Sequence, residues 1–252
     1  MPRMTLPKGV SDKVWSTALA YAQSGAAALD PSDEDVMNRR QPLFHRLDLS
    51  AATEFKFFDL TSAARFVTNL EKGRLQQGRV AILQGFFFDV FIGRDVAGVA
   101  GVSEILGTNE AAAADAADTT EIASAYAAMA AKVDILRHGV IDVSLGTKKL
   151  FDEEWGLTRF PMPGQLDVGG PGYSISGAFP ANVNTKVGTL QVNNGLASTG
   201  NMYPLTPNAI LHELLQVKGR LYLQNAPTLP AGYKLTAVMG FDAMLFGDPN
   251  NT

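Results

Sequence analysis

Two segments of the chain read alike and limit what it can fold into. They are Val80–Asp95, VAILQGFFFDVFIGRD, and Ala237–Asp248, AVMGFDAMLFGD. Each runs hydrophobic residues into Gly-Phe, continues apolar, and stops at a glycine followed closely by aspartate. Neither alternates polar and apolar residues as a half-solvated strand does, so each predicts a core strand covered on both faces. Phe86, Phe87, Phe88 and Phe91 form the densest aromatic cluster of the chain, with Phe241 and Phe246 as counterparts in the second segment. These six are the candidate core and assembly residues. Burying such a strand contributes on the order of 10 kcal/mol of gross hydrophobic free energy, most of which chain entropy offsets. The recurrence has two readings: an internal duplication of a β-sandwich, or two core strands of one sandwich, which look alike in any such fold.

Around these segments the chain has the grammar of an all-β protein with two helices. In SDKVWSTALAYAQSGAAALD, Ser11 or Asp12 caps a helix whose Val14, Ala18, Leu19 and Ala22 fall on one face before Gly25. DPSDEDVMNRRQP then reads as a charged connector. Strands are expected at EFKFFDL (54–60), Arg79–Gly93 and Gly98–Leu106. Thr108–Val133 is rich in alanine, with Thr108 as N-cap, Glu110, Asp115 and Asp118 toward its start and Lys132 at its end. That charge order suits a helix dipole, and Asp118-Thr119-Thr120 is a possible break. Beyond it Ile135, Val140, Ile141, Val143 and Leu145 predict strands about a turn at Gly139. Residues 159–180 are rich in proline and glycine, and strands return at Val183–Val192, Pro204–Leu211, Val217–Gln224 and Leu235–Phe246. Helices do not alternate with strands, so the expected class is all-β: a jelly-roll β-sandwich, two jelly rolls in tandem, with an N-terminal helix and an Ala-rich helical insertion. The expected division is residues 1–42 (helix and connector), 43–160 (first jelly roll, with the insertion at 108–133) and 161–252 (second jelly roll or the remainder of the sandwich).

Composition narrows the chemistry. At 252 residues with 46% hydrophobic and 18% charged residues the chain can bury a sizeable core. A net charge of −4 gives no broad basic face for nucleic acid, so no sequence-specific nucleic-acid binding is expected. There are no cysteines, which excludes disulfides, zinc-thiolate sites and thiol nucleophiles. The start, MPRMTLPKGV, lacks the apolar core of a signal peptide, and no run reaches the roughly 18 apolar residues of a membrane span.

Motifs that carry chemistry are incomplete. His45, His138 and His212 lie far apart in sequence, whereas a cupin-like metal site places two histidines within a few residues. LHELLQ (211–216) has Gln216 where a zincin helix needs its second histidine. GYSISG has Ser174 and Ser176 off the spacing of a nucleophile elbow. Asp152, Glu153 and Glu154 are adjacent acids, GGPG (169–172) lacks the lysine of a phosphate loop, and the NRR (38–40) and TKK (147–149) spots read as ordinary surface. Asp152, Glu153 and Asp167 offer oxygens to an interface calcium ion but read as solvated acids. No catalytic residue, cofactor or metal is expected, and an enzyme is not.

A neutral, β-rich, alanine- and glycine-heavy chain suits a protein that packs against copies of itself. Three stretches carry a resemblance: FVTNLEKGRLQQGRVAILQGFFFDVFIG (66–93), ILRHGVIDVSLGTKKLFDEEWGLTRFP (135–161) and YPLTPNAILHELLQVKGRLYLQNAPTLPAGYKLTAVMGFDAMLFGD (203–248). In order and texture they resemble the double jelly-roll major capsid proteins of tailless icosahedral bacteriophages. The resemblance implies two eight-stranded barrels side by side, a homotrimer of pseudo-hexagonal outline, and a capsid lattice built from copies of the chain, located in the virion. It also implies possible contacts with other virion proteins and with an internal membrane through the N-terminal helix, Ser11–Ala28, near Arg3, Lys8 and Lys13. The chain is short for sixteen strands plus an insertion, which keeps a single elaborated jelly roll open. Two other classes share the profile: another self-assembling phage component such as a tail-tube protein, and a carbohydrate-binding jelly roll using Trp15, Trp155, Tyr173 or Tyr203 as stacking platforms.

Overall fold

A computed structural model describes residues 9–24, 37–49, 51–61, 67–95, 103–105, 119–151, 155–157, 173–175, 190–192 and 202–247. Helix α1 spans Asp12–Ser24. Strands β1 (Met37–Asp48), β2 (Glu54–Phe57), β3 (Arg79–Asp95) and β4 (Ser103–Ile105) lead to helix α2, Thr119–His138. After it come β5 (Val140–Leu145), β6 (Lys148–Lys149), β7 (Trp155–Gly156), β8 (Tyr173–Ile175), β9 (Leu190–Val192), β10 (Tyr203–His212), β11 (Val217–Tyr222) and β12 (Tyr233–Gly247). The protein is mostly β, in two antiparallel sheets, with few helices.

The first sheet has the order β1-β12-β3-β10, with β4 on the far end of β3. The two Gly-Phe segments, β3 and β12, are hydrogen-bonded neighbours: the register runs from Tyr233↔Arg94 through Phe241↔Phe86 to Gly247↔Arg79. They are therefore adjacent core strands of one sheet and not equivalent strands of two. A shift between Asp242 and Ala243 leaves Gln84 without a partner on β12. That single extra residue keeps apolar side chains facing inward on both sides of the bulge: Ala81 and Leu83 before it, Phe86, Phe88, Val90 and Ile92 after it.

The second sheet has the order β2-β11-β5-β6, with β7 also on β5, and β2 and β11 alternate exposed and buried positions. Its inward residues Phe55, Phe57, Ile141, Val143, Val217 and Leu221 meet Leu43, Phe86, Phe88, Met239 and Phe241 of the first sheet in one core. The outer face of the first sheet is also covered. Val10, Val14, Trp15, Ala18 and Ala22, in and just before α1, pack on Val80, Ile82, Ile210, Met244 and Phe246. This accounts for the continuous apolar run in β3, and it occupies the apolar face of α1 within the chain.

The structure differs from the sequence reading at the end of the Ala-rich helix. Asp134–His138, read as the start of a strand, is the last turn of α2, which stops where Gly139 follows and its N–H donates to the Ile135 carbonyl at 2.8 Å. Of the insertion itself, residues 106–118, including Thr108, Glu110, Asp115 and Asp118, lie outside the described residues. The boundary placed at 160/161 runs through both sheets: β1 and β3 pair with β12 and β10, and β2 and β5 pair with β11. Among the described residues one pair of facing sheets forms, beside a small two-stranded sheet of β8 and β9.

At Gly240, opposite Phe87, a Cβ would lie 2.4 Å from the Phe87 ring and 2.6 Å from the Leu43 carbonyl oxygen. The ring of Phe87 fills the place of that side chain. Gly240→Ala is expected to lower unfolding stability by about 1–3 kcal/mol in a urea titration; an unchanged midpoint would contradict this packing.

Candidate functional site

The six phenylalanines singled out in the sequence divide between two faces. Phe86, Phe88 and Phe241 are fully buried between the sheets, with Phe86 edge-on to Phe241 at 5.5 Å and to Phe151 at 5.1 Å. Phe57 meets Phe88 at 6.3 Å from the opposite sheet. Phe246 lies under α1, edge-on to Trp15 at 5.1 Å, Phe87 sits over Gly240, and Phe91 is half-buried. All of these ring contacts lie within one chain and contribute to its fold. Trp15, considered above as an exposed stacking platform, packs on this outer face.

The histidines are held apart. His45, on β1, is buried; its Nδ1 accepts a hydrogen bond from the backbone N–H of Phe58, a residue at φ 63°. The ring proton then sits on Nε2, which is buried without a hydrogen-bond partner. Burial lowers the pKa of His45, against a smaller raising effect of Asp59. His138 closes α2 with Nδ1 2.8 Å from Asp134 Oδ1, exposed. His212 ends β10 with its ring stacked on Tyr21 at 4.4 Å and 16°; burial lowers its pKa. LHELLQ is thus the end of a strand and a turn, and its histidine faces an aromatic ring. Among the described residues no group of three or more histidine, aspartate or glutamate side chains could hold a metal ion. Asp152–Glu154, Asp167, Gly169–Gly172 and Ser176 lie outside the described residues, and Ser174 is in β8.

Among the described residues Asp89, Lys132 and Asp242 are ionisable groups buried inside the fold, besides His45. Lys132, read from the sequence as a charge at the end of the Ala-rich helix, is six residues short of its end and buried, and its Nζ has no hydrogen-bond partner. Asp89, the one carboxylate within FFFDVF, is buried on β3 and accepts from the Val90 N–H at 2.7 Å. Desolvation raises the Asp89 carboxyl to about 6, opposed by the charge of Lys132 and by the Val90 N–H. Desolvation likewise lowers the pKa of Lys132, and Asp89 raises it. On the same sheet Asp242 accepts from Arg40 through both oxygens, with Nε at 2.8 and 3.0 Å. Arg40 is half exposed, so this pair fixes geometry more than it stabilises.

Among the described residues two clefts open on the surface. One, of about 510 Å³, lies beside the end of α2 and is lined by Ala131, Asp134, His138, Leu223 and Pro227. The larger, about 950 Å³, lies between the edge strand β10 and the β5–β6 hairpin. Its wall includes Tyr21, Lys148, Lys149, Tyr203, Thr206 and His212. β10 leaves its ladder with β3 between Pro204 and Ala209, and that irregular stretch forms the floor. No family model, curated protein or solved structure matches the chain.

The sequence held partial signals for what was missed. Asp89 stands out as a charge in an apolar run, whereas Lys132 among alanines looks like any solvated helix lysine. The cleft joins residues from three distant parts of the chain, which local pattern does not connect.

The two kinds of buried titratable group give opposite pH dependence. Protonated Asp89 contributes stability that is full below its ordinary range near pH 4 and lost as the pH rises through about 6. Neutral His45 contributes stability that is present above about pH 6.5 and lost as the pH falls through its lowered folded value. In urea unfolding between pH 4 and 8, wild type measured against Asp89→Asn should therefore lose stability as pH rises. Measured against His45→Asn, which keeps an acceptor for the Phe58 N–H, it should gain stability as pH rises. Differences that stay flat across this range would contradict the burial of either group.

Proposed function

We propose that the chain is a structural virion protein, the major capsid protein of an icosahedral phage. In this reading it folds as one elaborated jelly roll and assembles as trimers into a shell. The observation that carries it is the order of strand pairing. β1 pairs with β12, β2 with β11 and β3 with β10. Consecutive strands of each arm fall in alternate sheets: β1, β3, β10 and β12 in one, β2, β5 and β11 in the other. This order supports a reading as a long antiparallel ribbon, first arm against last, rolled into a sandwich in the manner of the jelly-roll wrap of viral coats, lectins and cupins. Because the wrap alone serves several functions, the resemblance of 66–93, 135–161 and 203–248 to phage coats supplies the functional half of the reading.

A jelly roll of this kind leaves sheet edges that a lattice can use. Here β10 and β6 border the larger cleft, and Leu214, at the turn after β10, is 75% exposed. Light scattering of the purified chain is expected to give about three times the 26.9 kDa of one chain, with hexagonal outlines or closed shells in negative-stain images. A monomer that persists at high concentration would overturn the assembly reading.

A further inference from the structure

We propose that His45 is the latch of an acid-opened segment: proton uptake by its ring releases the turn after β2 and residues 67–73 from the edge of β1, while the β3–β12 ribbon stays paired. β1 ends its sheet, and on the side away from β12 it is met by a short irregular stretch. The Arg46 N–H donates to the Val67 carbonyl at 2.7 Å and the Phe44 N–H to Asn69 Oδ1 at 2.9 Å. Asn69 Nδ2 donates to the Pro42 carbonyl at 2.7 Å, and the Thr68 hydroxyl to that of Phe44 at 3.0 Å. The Lys72 N–H then donates to the Leu60 carbonyl at 2.6 Å, which ties this stretch to the turn after β2. Phe58 and Lys72, at φ 63° and 48°, are the non-glycine residues of positive φ among the described residues, and both lie in this knot. A left-handed conformation is costly for a residue as bulky as phenylalanine and persists only where its surroundings hold it.

The ring of His45 holds Phe58 in that conformation. The Phe58 N–H donates to Nδ1, so the bond requires the neutral ring with its proton on Nε2. Imidazolium donates from both nitrogens and offers Phe58 no acceptor in either ring orientation. A second proton therefore sets two donors against each other at a buried position and removes the bond that fixes the turn. The surroundings do little for the new charge. Nε2 is buried without a hydrogen-bond partner, Thr68 beside the ring and Met239 opposite it on β12 do not titrate, and β2 and its turn present the rings of Phe57 and Phe58. Asp59, on the turn itself, is the charged group that favours imidazolium, and burial outweighs it, so the ring is neutral and the latch closed at neutral pH. Asp59, Leu60, Glu71 and Lys72 are exposed, so the knot can lift without parting the two sheets. The device lies within one chain and does not depend on the assembly reading.

Hydrogen–deuterium exchange of the full chain between pH 5 and 7, read by mass spectrometry, tests the proposal. Peptides covering 44–46, 58–60 and 67–72 are compared with peptides from β3 and β12 of the same molecule. Wild type is compared at each pH with His45→Asn, which keeps an acceptor for the Phe58 N–H and takes up no proton. That second comparison cancels the intrinsic pH dependence of exchange and the titration of Asp89. Proton uptake favours the open form once the pH falls below the ordinary histidine value of 6.5. From pH 7 to 5 the three peptides of wild type should therefore exchange several-fold faster relative to the variant, with a ceiling of about thirtyfold. The β3 and β12 peptides should not change. Should the variant fail to fold, the contrast between the two sets of peptides within wild type gives the same reading. Equal exchange of wild type and variant at pH 5 would overturn the proposal. So would an equal rise in the β3 and β12 peptides, which marks unfolding of the whole sandwich.

Discussion

The structure depends on one contact between distant parts of the chain: the antiparallel pairing of β3 with β12 through fifteen matched positions. Everything else is arranged about that ribbon. β1 and β10 extend it on either side, the second sheet closes over one face, and α1 covers part of the other. Both strands are apolar nearly throughout because both of their faces are covered. The single bulge at Gln84 preserves the inward phase of the side chains where a straight ladder would turn half of them outward. Since the partners are some 150 residues apart in sequence, the pairing closes a long loop and is slow to find, as in other sandwiches of high contact order.

The core so built is not wholly apolar, and the exceptions share a cause. His45, Asp89 and Lys132 each sit where coverage from a second layer removes solvent: Phe57 and Phe58 around His45, and the α2 helix at the β3–β12 ribbon for the other two. Two of them retain a buried nitrogen without a hydrogen-bond partner, His45 Nε2 and Lys132 Nζ. A charge held in such a place shifts toward its neutral form, because desolvation outweighs the attraction of one opposite charge. The consequence is a fold whose stability responds to pH through groups inside it, with His45 and Asp89 acting in opposite directions.

Strand content was legible in the sequence and partnership was not. The spans of β3, β10, β11 and β12 follow from apolar runs bounded by glycine and proline, and α1 follows from its cap and the spacing of Val14, Ala18 and Ala22. The resemblance of β3 to β12 was legible too, but likeness does not say whether two strands are neighbours or copies; only the register settles that, and register is non-local. DILRH misled because adjacent Ile135 and Leu136 fit a strand as well as a helix over five residues, and the stop that matters is Gly139. Lys132 was illegible for a similar reason: the layer that buries it comes from elsewhere in the chain. Tyr21 and His212, 191 positions apart, illustrate the limit for sites, since their stacking exists only once α1 lies across β10.

The central claim, that the first strand closes against the last in one rolled sandwich, can be tested directly because the chain contains no cysteine. Asp48 and Thr236 face each other in the β1–β12 register, and the Thr236 hydroxyl donates to the Asp48 carboxylate at 2.7 Å. Facing antiparallel positions are spaced within the range a disulfide spans. In the double variant Asp48→Cys/Thr236→Cys, mild oxidation should join the two residues within a single chain, read as a mobility shift on a non-reducing gel and a linked peptide pair after digestion. Two free thiols after oxidation, or cross-links found only between chains, would contradict the closure of β1 on β12 and with it the rolled sandwich.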